Sequence, residues 1–237
     1  MLDLFGTIFG TATFATLLGM LVSSTPARAS TRRAILATGA AWGVLIVLVA
    51  ALGGFAPGVT GPIPGPIVAF AVLVVSLGVA WVRHPGFRKA LLAIPLPVLV
   101  GLNAARLGGV FFLFLAASGR LSAPFASSAG IGDMITGAVA IPLALLLARG
   151  DRRRPWWLGV WNAFGTLDLI VAMTLAMLST DGVPFRVFTG GPGMLAMTTL
   201  PWVMIPVLLV PLFLLIHLVI AAKLRRTAAV LPLATAS

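Results

Sequence analysis

The chain contains no cysteine and very little charge. Only 9% of its 237 residues are Asp, Glu, Lys or Arg, and 60% are hydrophobic, whereas a soluble domain has about 25% charged and about 45–50% apolar residues. This composition predicts an integral membrane protein. The absence of cysteine excludes disulfides, thiolate metal sites and cysteine nucleophiles, and it leaves the cellular compartment open.

The signatures of common enzymes and cofactor proteins are also missing. No HExxH, Walker A or GxSxG motif occurs. Both lysines, Lys89 and Lys223, lie at the edges of apolar runs, so neither is placed to form a retinal Schiff base. Only one histidine, His217, falls inside an apolar run, which argues against a haem held by paired histidines. We therefore predict no catalytic residues, no cofactor and no metal site, and a protein that is more readily interpreted as a non-enzyme.

Long apolar runs, in contrast, are abundant. A helix needs about 20 apolar residues to cross about 30 Å of hydrocarbon. Seven such segments are predicted, at residues 4–22, 34–52, 64–82, 96–117, 129–148, 157–178 and 199–222. The predicted fold is all-α: a polytopic membrane protein in which residues 1–226 form a single bundle of seven transmembrane helices and residues 227–237 form a short cytoplasmic tail.

A cleaved signal peptide is the alternative interpretation of the first segment. Ala27, Arg28 and Ala29 resemble a cleavage site. The run is, however, longer than the usual apolar core of about 7–15 residues, and its start carries Asp3 and no basic residue. A transmembrane helix is therefore the preferred interpretation.

Basic residues mark one side of the predicted membrane. Thirteen of the 16 Lys and Arg residues follow the first, third, fifth and seventh segments. The positive-inside rule then predicts an N-terminus outside and a C-terminus in the cytoplasm. We interpret the net charge of +11 as topology with some contact to anionic lipid, and not as nucleic-acid binding. The four clusters are Arg28, Arg32 and Arg33; Arg83, Arg88 and Lys89; Arg149, Arg152, Arg153 and Arg154; and Lys223, Arg225 and Arg226.

The fourth segment has an arginine at its middle. Arg106 lies about eleven residues, or roughly 16 Å, from the predicted inner boundary. A charge at this depth costs about 2.5–3.5 kcal/mol on insertion scales. Asp168 lies equally far into the sixth segment, so we predict that the two side chains pair at the midplane. Such a pair could mark a solute or ion pathway, or it could only fix the packing of the helices.

Other polar residues are predicted near this pair. Asn162 and His217 lie closer to the cytoplasm, where His217 could donate a hydrogen bond to Asn162 or to a backbone carbonyl, or shuttle protons as histidine can near neutral pH. Asn103 is one helical turn from Arg106 on the same face. Asp133 is predicted to open the fifth segment. The helix dipole favours an aspartate in the first turn of a helix, which would explain it; the alternative is an entry site on the outer side.

Glycine and proline add two further features. GxxxG spacings at Gly6 and Gly10, and at Gly39 and Gly43, allow another helix to approach closely. The predicted outer loops are rich in Gly and Pro and nearly uncharged, so they could form lids or surfaces for a partner protein. Prolines inside the predicted spans remove backbone donors and favour kinks. These are Pro142, Pro201, Pro206 and Pro211.

Four stretches resemble a group of uncharacterised bacterial multi-pass membrane proteins. They are Arg106 with LGGVFFLFLAASGRL, PFASSAGIGD ending at Asp133, WNAFGTLDLIVA around Asp168, and LPWVMIPVLLVPLFLLIHL ending after His217. The resemblance covers roughly residues 99–218, and the first three segments match only as generic spans. The resemblance implies a multi-pass architecture and supports the polar residues singled out above as candidates. It implies no reaction or substrate.

These features together predict a protein of the bacterial inner membrane that binds a small solute or conducts protons or ions. The predicted partners are the lipid bilayer, the solute or ion, and other membrane subunits, but not nucleic acid. The alternative function is a non-catalytic accessory or assembly subunit of a larger membrane complex. A third possibility is a membrane enzyme acting on lipid, with Asp133 or Asp168 as base. The candidate binding residues are Arg106, Asp168, His217, Asn162, Asn103 and Asp133.

Overall fold

The computed structural model describes residues 1–150 and 155–234, which contain helices, turns and loops but no extended strand. Seven helices in this part of the chain are long and apolar enough to cross a membrane, in agreement with the seven predicted spans. The helices are α1 (Leu2–Ser23), α2 (Ala29–Ala51), α3 (Gly65–Arg83), α4 (Pro85–Ala93), α5 (Leu96–Leu102), α6 (Val110–Ala117), α7 (Ala123–Ala148), α8 (Pro155–Ser179) and α9 (Val210–Ala234).

Two of the spans are composite. In the fourth, the 3-10 turn Asn103–Gly109 joins α5 to α6, so that one span runs over Leu96–Ala117. In the seventh, the π-helix Ile205–Leu209 precedes α9. Departures from α-helical geometry inside a span often occur at functional sites, and both of these lie at the centre of the bundle.

Several boundaries differ from the prediction. The fifth span begins at Ala123 and not at residue 129, because the polar stretch after Ser122 with proline in its first turn forms helix instead of loop. The seventh begins at Ile205 and not at residue 199, because the preceding residues form turns around a cis Leu200–Pro201 bond. The short helix α4 was not predicted. Pro201 therefore lies ahead of its helix, whereas Pro142 lies inside α7.

The spans differ strongly in burial. Within the most apolar stretch of each span, the buried share of the residues is 67% in the seventh span and 50% in the fourth. It is only 11% in α2 and in α3. The seventh and fourth spans therefore form the centre of the bundle. Large apolar side chains on α2 and α3, such as Val44, Leu48 and Val75, are exposed, as expected for helices that face lipid.

Both GxxxG spacings pack helices of this chain against one another or against a loop. A Cβ atom on Gly6 would lie 2.6 Å from the Trp202 ring, and one on Gly39 would lie 2.6 Å from the side chain of Leu18. The small residues therefore bring α1 close to the segment before the seventh span and α2 close to α1. Gly6 and Gly39 therefore contribute to packing within this chain.

The two ends of the bundle have different chemical character. We call the end with the predicted basic clusters the basic end, and the end with the loops at residues 52–64, 118–122 and 180–204 the loop end. At the basic end, Lys223 Nζ donates to the carbonyls of Leu92 at 2.7 Å and Ile94 at 2.8 Å. Three arginines predicted here, Arg152, Arg153 and Arg154, and residues 235–237 of the predicted tail lie outside the described residues.

Candidate functional site

Arg106 lies in the 3-10 turn that interrupts the fourth span, and its side chain is only 1% exposed. Glycine has a low preference for α-helix, and Gly108 and Gly109 end this turn. A Cβ atom on Gly109 would lie 2.8 Å from the carbonyl oxygen of Gly130. The missing side chain therefore allows α7 to approach the turn closely enough for its polar groups to reach the guanidinium.

Every nitrogen of the Arg106 guanidinium has a partner. Nε donates to Asp133 Oδ1 at 2.6 Å, and Nη2 donates to Asp168 Oδ2. Nη1 lies 3.0 Å from the carbonyl oxygen of Gly165 and 3.1 Å from His217 Nε2. Because a guanidinium can only donate, one arginine engages acceptors from α7, α8 and α9 at once. We call Arg106, Asp133, Asp168 and His217 the central cluster.

The predicted pair between Arg106 and Asp168 is confirmed. The predicted position of Asp133 is wrong, because α7 starts earlier than the apolar run suggests. Asp133 lies ten residues past Ala123, about 15 Å along the helix, and so it cannot cap the first turn. It is instead a second carboxyl group on the same guanidinium.

Of the roles considered for His217 (a hydrogen bond to Asn162, one to a backbone carbonyl, or proton shuttling), the structure shows the contact with Asn162. His217 Nδ1 lies 2.9 Å from Asn162 Oδ1, and Asn162 Nδ2 lies 3.3 Å from the backbone oxygen of His217. Since Arg106 can only donate, His217 Nε2 accepts and Nδ1 carries the proton that is donated to Asn162. The imidazole is therefore neutral in this arrangement, and a second proton would place two N–H groups against each other.

Asn103 does not join the central cluster. Its side chain is completely buried, and its Nδ2 donates to the carbonyl oxygen of Leu99 at 3.1 Å, within the same span. The change from α-helix to 3-10 helix begins at this residue. Its amide therefore bonds a backbone carbonyl of the preceding α-helix.

Two glycines that sequence reasoning did not identify create the space for the central cluster. A Cβ atom on Gly132 would overlap the carboxylate of Asp168, and one on Gly165 would lie 2.8 Å from His217 Nε2. Glycine has a low preference for helix, so a glycine in the middle of an apolar span is a sequence signal that something packs closely there. In this chain, Gly132 and Gly165 lie where ionisable side chains of neighbouring helices fit.

A cavity of about 60 Å³ lies beside the central cluster on the side of the loop end. Asp133 is the one charged residue among the described residues that line it. Its side chain is 15% exposed, compared with 8% for Asp168 and 1% for Arg106. Asp133 is thus the charged group of the central cluster that a molecule in the cavity would meet. The apolar lining includes Phe112, Phe125, Leu169, Met173, Met197 and Val210.

A second, more open cleft of about 450 Å³ lies between α8 and α9. It reaches Asn162, and its lining residues Leu167 and Ile170 are exposed, so that it faces the lipid side of the bundle. The polar chain that runs from Asp133 through Arg106 and His217 to Asn162 therefore has the cavity at one end and the cleft at the other.

Comparisons with known proteins identify one family. No curated protein and no solved structure matches the chain. A family model described as a domain of unknown function, DUF8737, matches residues 63–225. The match begins earlier than the resemblance at residues 99–218, so it includes α3 as well as every residue of the central cluster. Because the model covers more than half of the chain, the protein belongs to the DUF8737 family.

Proposed function

We propose that this protein binds a proton or a small cation at the central cluster, inside the membrane, and uses that binding for transport or sensing. The carrying observation is that two carboxyl groups, Asp133 and Asp168, share one guanidinium, Arg106. If both carboxyls are ionised, one negative charge is left over. Since an unbalanced charge in hydrocarbon is expensive, a bound proton or cation is the simplest way to neutralise it.

The cavity supports exchange of the bound proton or cation on the side of the loop end. It gives Asp133 a connection in that direction. The 3-10 turn holds Arg106, and the π-helix lines the cavity with Ile205 and Pro206. Such departures from α-helical geometry often mark hinges or functional sites. These features favour a site that exchanges its proton or cation over a rigid packing contact.

The orientation and location belong to the same proposal. In this proposal the basic end faces the cytoplasm of a bacterial inner membrane and the loop end faces outward, because the sequence predicts that the clusters of Lys and Arg lie on one side of the membrane. The cavity then opens on the outer side. Cation binding from outside would precede passage toward the cytoplasm.

The alternative function, an accessory subunit of a larger complex, has less support. Its motives were the absence of catalytic motifs, the GxxxG spacings and the apolar outer loops. Of these, the glycines Gly6 and Gly39 pack against Trp202 and Leu18 of the same chain. The exposed apolar residues of α2 and α3 are explained by lipid. An enzyme that uses Asp133 or Asp168 as a base also has little support, since none of the catalytic motifs considered above occurs in the sequence.

The test measures proton binding first and transport second. Infrared difference spectroscopy of the purified protein should show the band of a protonated carboxyl group. If the site binds a small cation, adding that cation should replace this band with that of an ionised carboxylate. Asp133→Asn or Asp168→Asn should change either signal. In vesicles with a trapped pH-sensitive dye, either variant should slow ion or proton flux about tenfold or more.

Asp181→Asn is the matched control, because Asp181 pairs with Arg186 in a loop, and its side chain is 55% exposed. It should leave both measurements unchanged. The proposal fails if the wild type shows neither a protonated carboxyl nor cation binding, or if the central variants behave like Asp181→Asn.

A further inference from the structure

We propose that the cavity beside Asp133 binds a small organic cation, namely a protonated amine with a short apolar body. The inference rests on the proposed function and names the class of cation that the site takes. The ammonium head contacts the Asp133 carboxylate, and the apolar body lies among the side chains of α6, α7, α8 and the start of the seventh span.

Charge selects the head group. Arg106 is 1% exposed and lies behind two carboxyl groups, and its nitrogens are all engaged. An anionic solute would therefore meet the carboxylate of Asp133 before any positive charge. No residue that the structure describes bonds Asp133 Oδ2, which leaves it able to accept an N–H group from a cation.

The lining argues against a bare metal cation. Hard cations such as Mg²⁺ and Ca²⁺ take six or more oxygen ligands, and the polar lining residues are Asp133 and two threonines. One carboxyl group and the hydroxyls of Thr180 and Thr198 supply four oxygens at most, fewer than such a cation takes. A cation that carries its own apolar surface fits this lining better.

Two aromatic rings and several methionines shape the apolar part. Phe112 and Phe125 have ring centroids 5.3 Å apart, and aromatic faces attract ammonium groups. Met173 and Met197 are flexible and adapt to the shape of an apolar group. Since a single water needs about 10–15 Å³ of such volume, the cavity of about 60 Å³ has room for a short amine.

The test compares four probes that differ in one property at a time. n-Propylamine carries the head and a short body, 1-propanol is neutral, butanoate is anionic, and methylammonium has no apolar body. Calorimetric titration of the full chain in nanodiscs should show that n-propylamine binds about tenfold or more tightly than the other three.

Two variants locate the binding. Asp133→Asn removes the charge, and Ala176→Leu fills the cavity without touching the central cluster. Each variant should weaken the binding of the amine about tenfold or more. The controls are Asp181→Asn and Ala138→Leu, since Ala138 is exposed on α7. Thermal melting checks that each variant is folded. If Asp133→Asn does not fold, Ala176→Leu still tests whether the amine binds in the cavity.

Each outcome decides between the two proposals. Equal binding of the amine and the alcohol, or amine binding that Ala176→Leu does not affect, overturns the organic-cation site. If the amine does not bind while the infrared signal of Asp133 and Asp168 persists, this inference fails and the proposed proton site stands. Loss of both the amine binding and the infrared signal in the wild type removes both.

Discussion

The chain forms ion pairs in two settings, and the comparison shows what the bundle interior adds. In the central cluster the side chains of Arg106, Asp133 and Asp168 are 1%, 15% and 8% exposed. At the loop end, those of Arg120 and Asp3 are 37% and 53% exposed. The same two chemical groups are thus buried in one place and partly hydrated in the other, where surface pairs contribute little to stability.

The neighbours differ as much as the exposure. Four contacts from three helices, α7, α8 and α9, converge on Arg106, and glycines keep space for its partners. Asp3 is engaged by Arg120 at 2.9 Å and by Trp202 Nε1 at 2.7 Å, which ties α1 to two loops. The ion pair of Asp3 and Arg120 therefore connects neighbouring segments, whereas the central cluster is a buried charged site whose charges must be neutralised by groups of the surrounding helices.

The largest expected effect comes from removing the central guanidinium. Arg106→Leu leaves two carboxyl groups facing each other in the interior and should lower the free energy of unfolding by about 3–5 kcal/mol. Arg120→Leu is the matched change at the loop end and should cost about 1 kcal/mol or less. Unfolding in detergent measures both, and equal losses would contradict the distinction between the two settings.

A smaller effect is expected from crowding the central pair. Gly132→Ala places a methyl group where the Asp168 carboxylate lies and should destabilise the fold by about 1–3 kcal/mol. Gly78→Ala is the control, because a Cβ atom there meets no other atom within 4 Å. It should be neutral or slightly stabilising, since alanine favours helix. If thermal melting gives similar values for both, Gly132 does not create the space for the pair.

The next change tests the hydrogen-bond chain. His217→Phe leaves Arg106 Nη1 and Asn162 Oδ1 each without one partner and should cost about 1–3 kcal/mol. His217→Gln keeps a donor and an acceptor and should recover part of that loss. A double-mutant cycle with Asn162→Ala measures the coupling by unfolding in detergent, and additive effects would mean that the two residues act independently.

The smallest effect is expected at the periphery, where salt sharpens the comparison. Asp3→Asn weakens the contact with Arg120 and should cost about 1 kcal/mol or less, with a smaller cost at high salt because exposed charges are screened. The loss caused by Arg106→Leu should not change with salt. Melting curves at two ionic strengths test this, and the same salt response in both variants would count against a buried centre.

Much of the fold follows from periodicity and length. Each apolar run had to be a span because hydrocarbon leaves backbone groups no partner outside the helix, and the seven runs match the seven helices. Counting depth at 1.5 Å per residue was enough to predict the Arg106–Asp168 pair, and it made Asn162 one of the possible partners of His217. Both predictions depend on the constant rise of a helix and not on the way the helices are arranged.

The polar start of α7 misled the same reasoning. The residues from Ala123 to Ser128 are not an apolar run, so the fifth span was predicted to start later and Asp133 was placed near its first turn. Packing against α6 and the loop end makes this stretch helical. The second carboxyl of the central cluster was therefore predicted in the wrong environment.

The sequence by itself determined the all-helical class of the protein, the number of long apolar helices and the matching positions of Arg106 and Asp168 along their spans, because these properties depend on composition and on the fixed geometry of a helix. Only the tertiary structure decided that Asp133 joins Arg106, that Gly132 and Gly165 leave room for neighbouring side chains, and that an apolar cavity ends at a carboxylate. These features depend on which faces of separate helices meet, and a one-dimensional pattern does not contain that information.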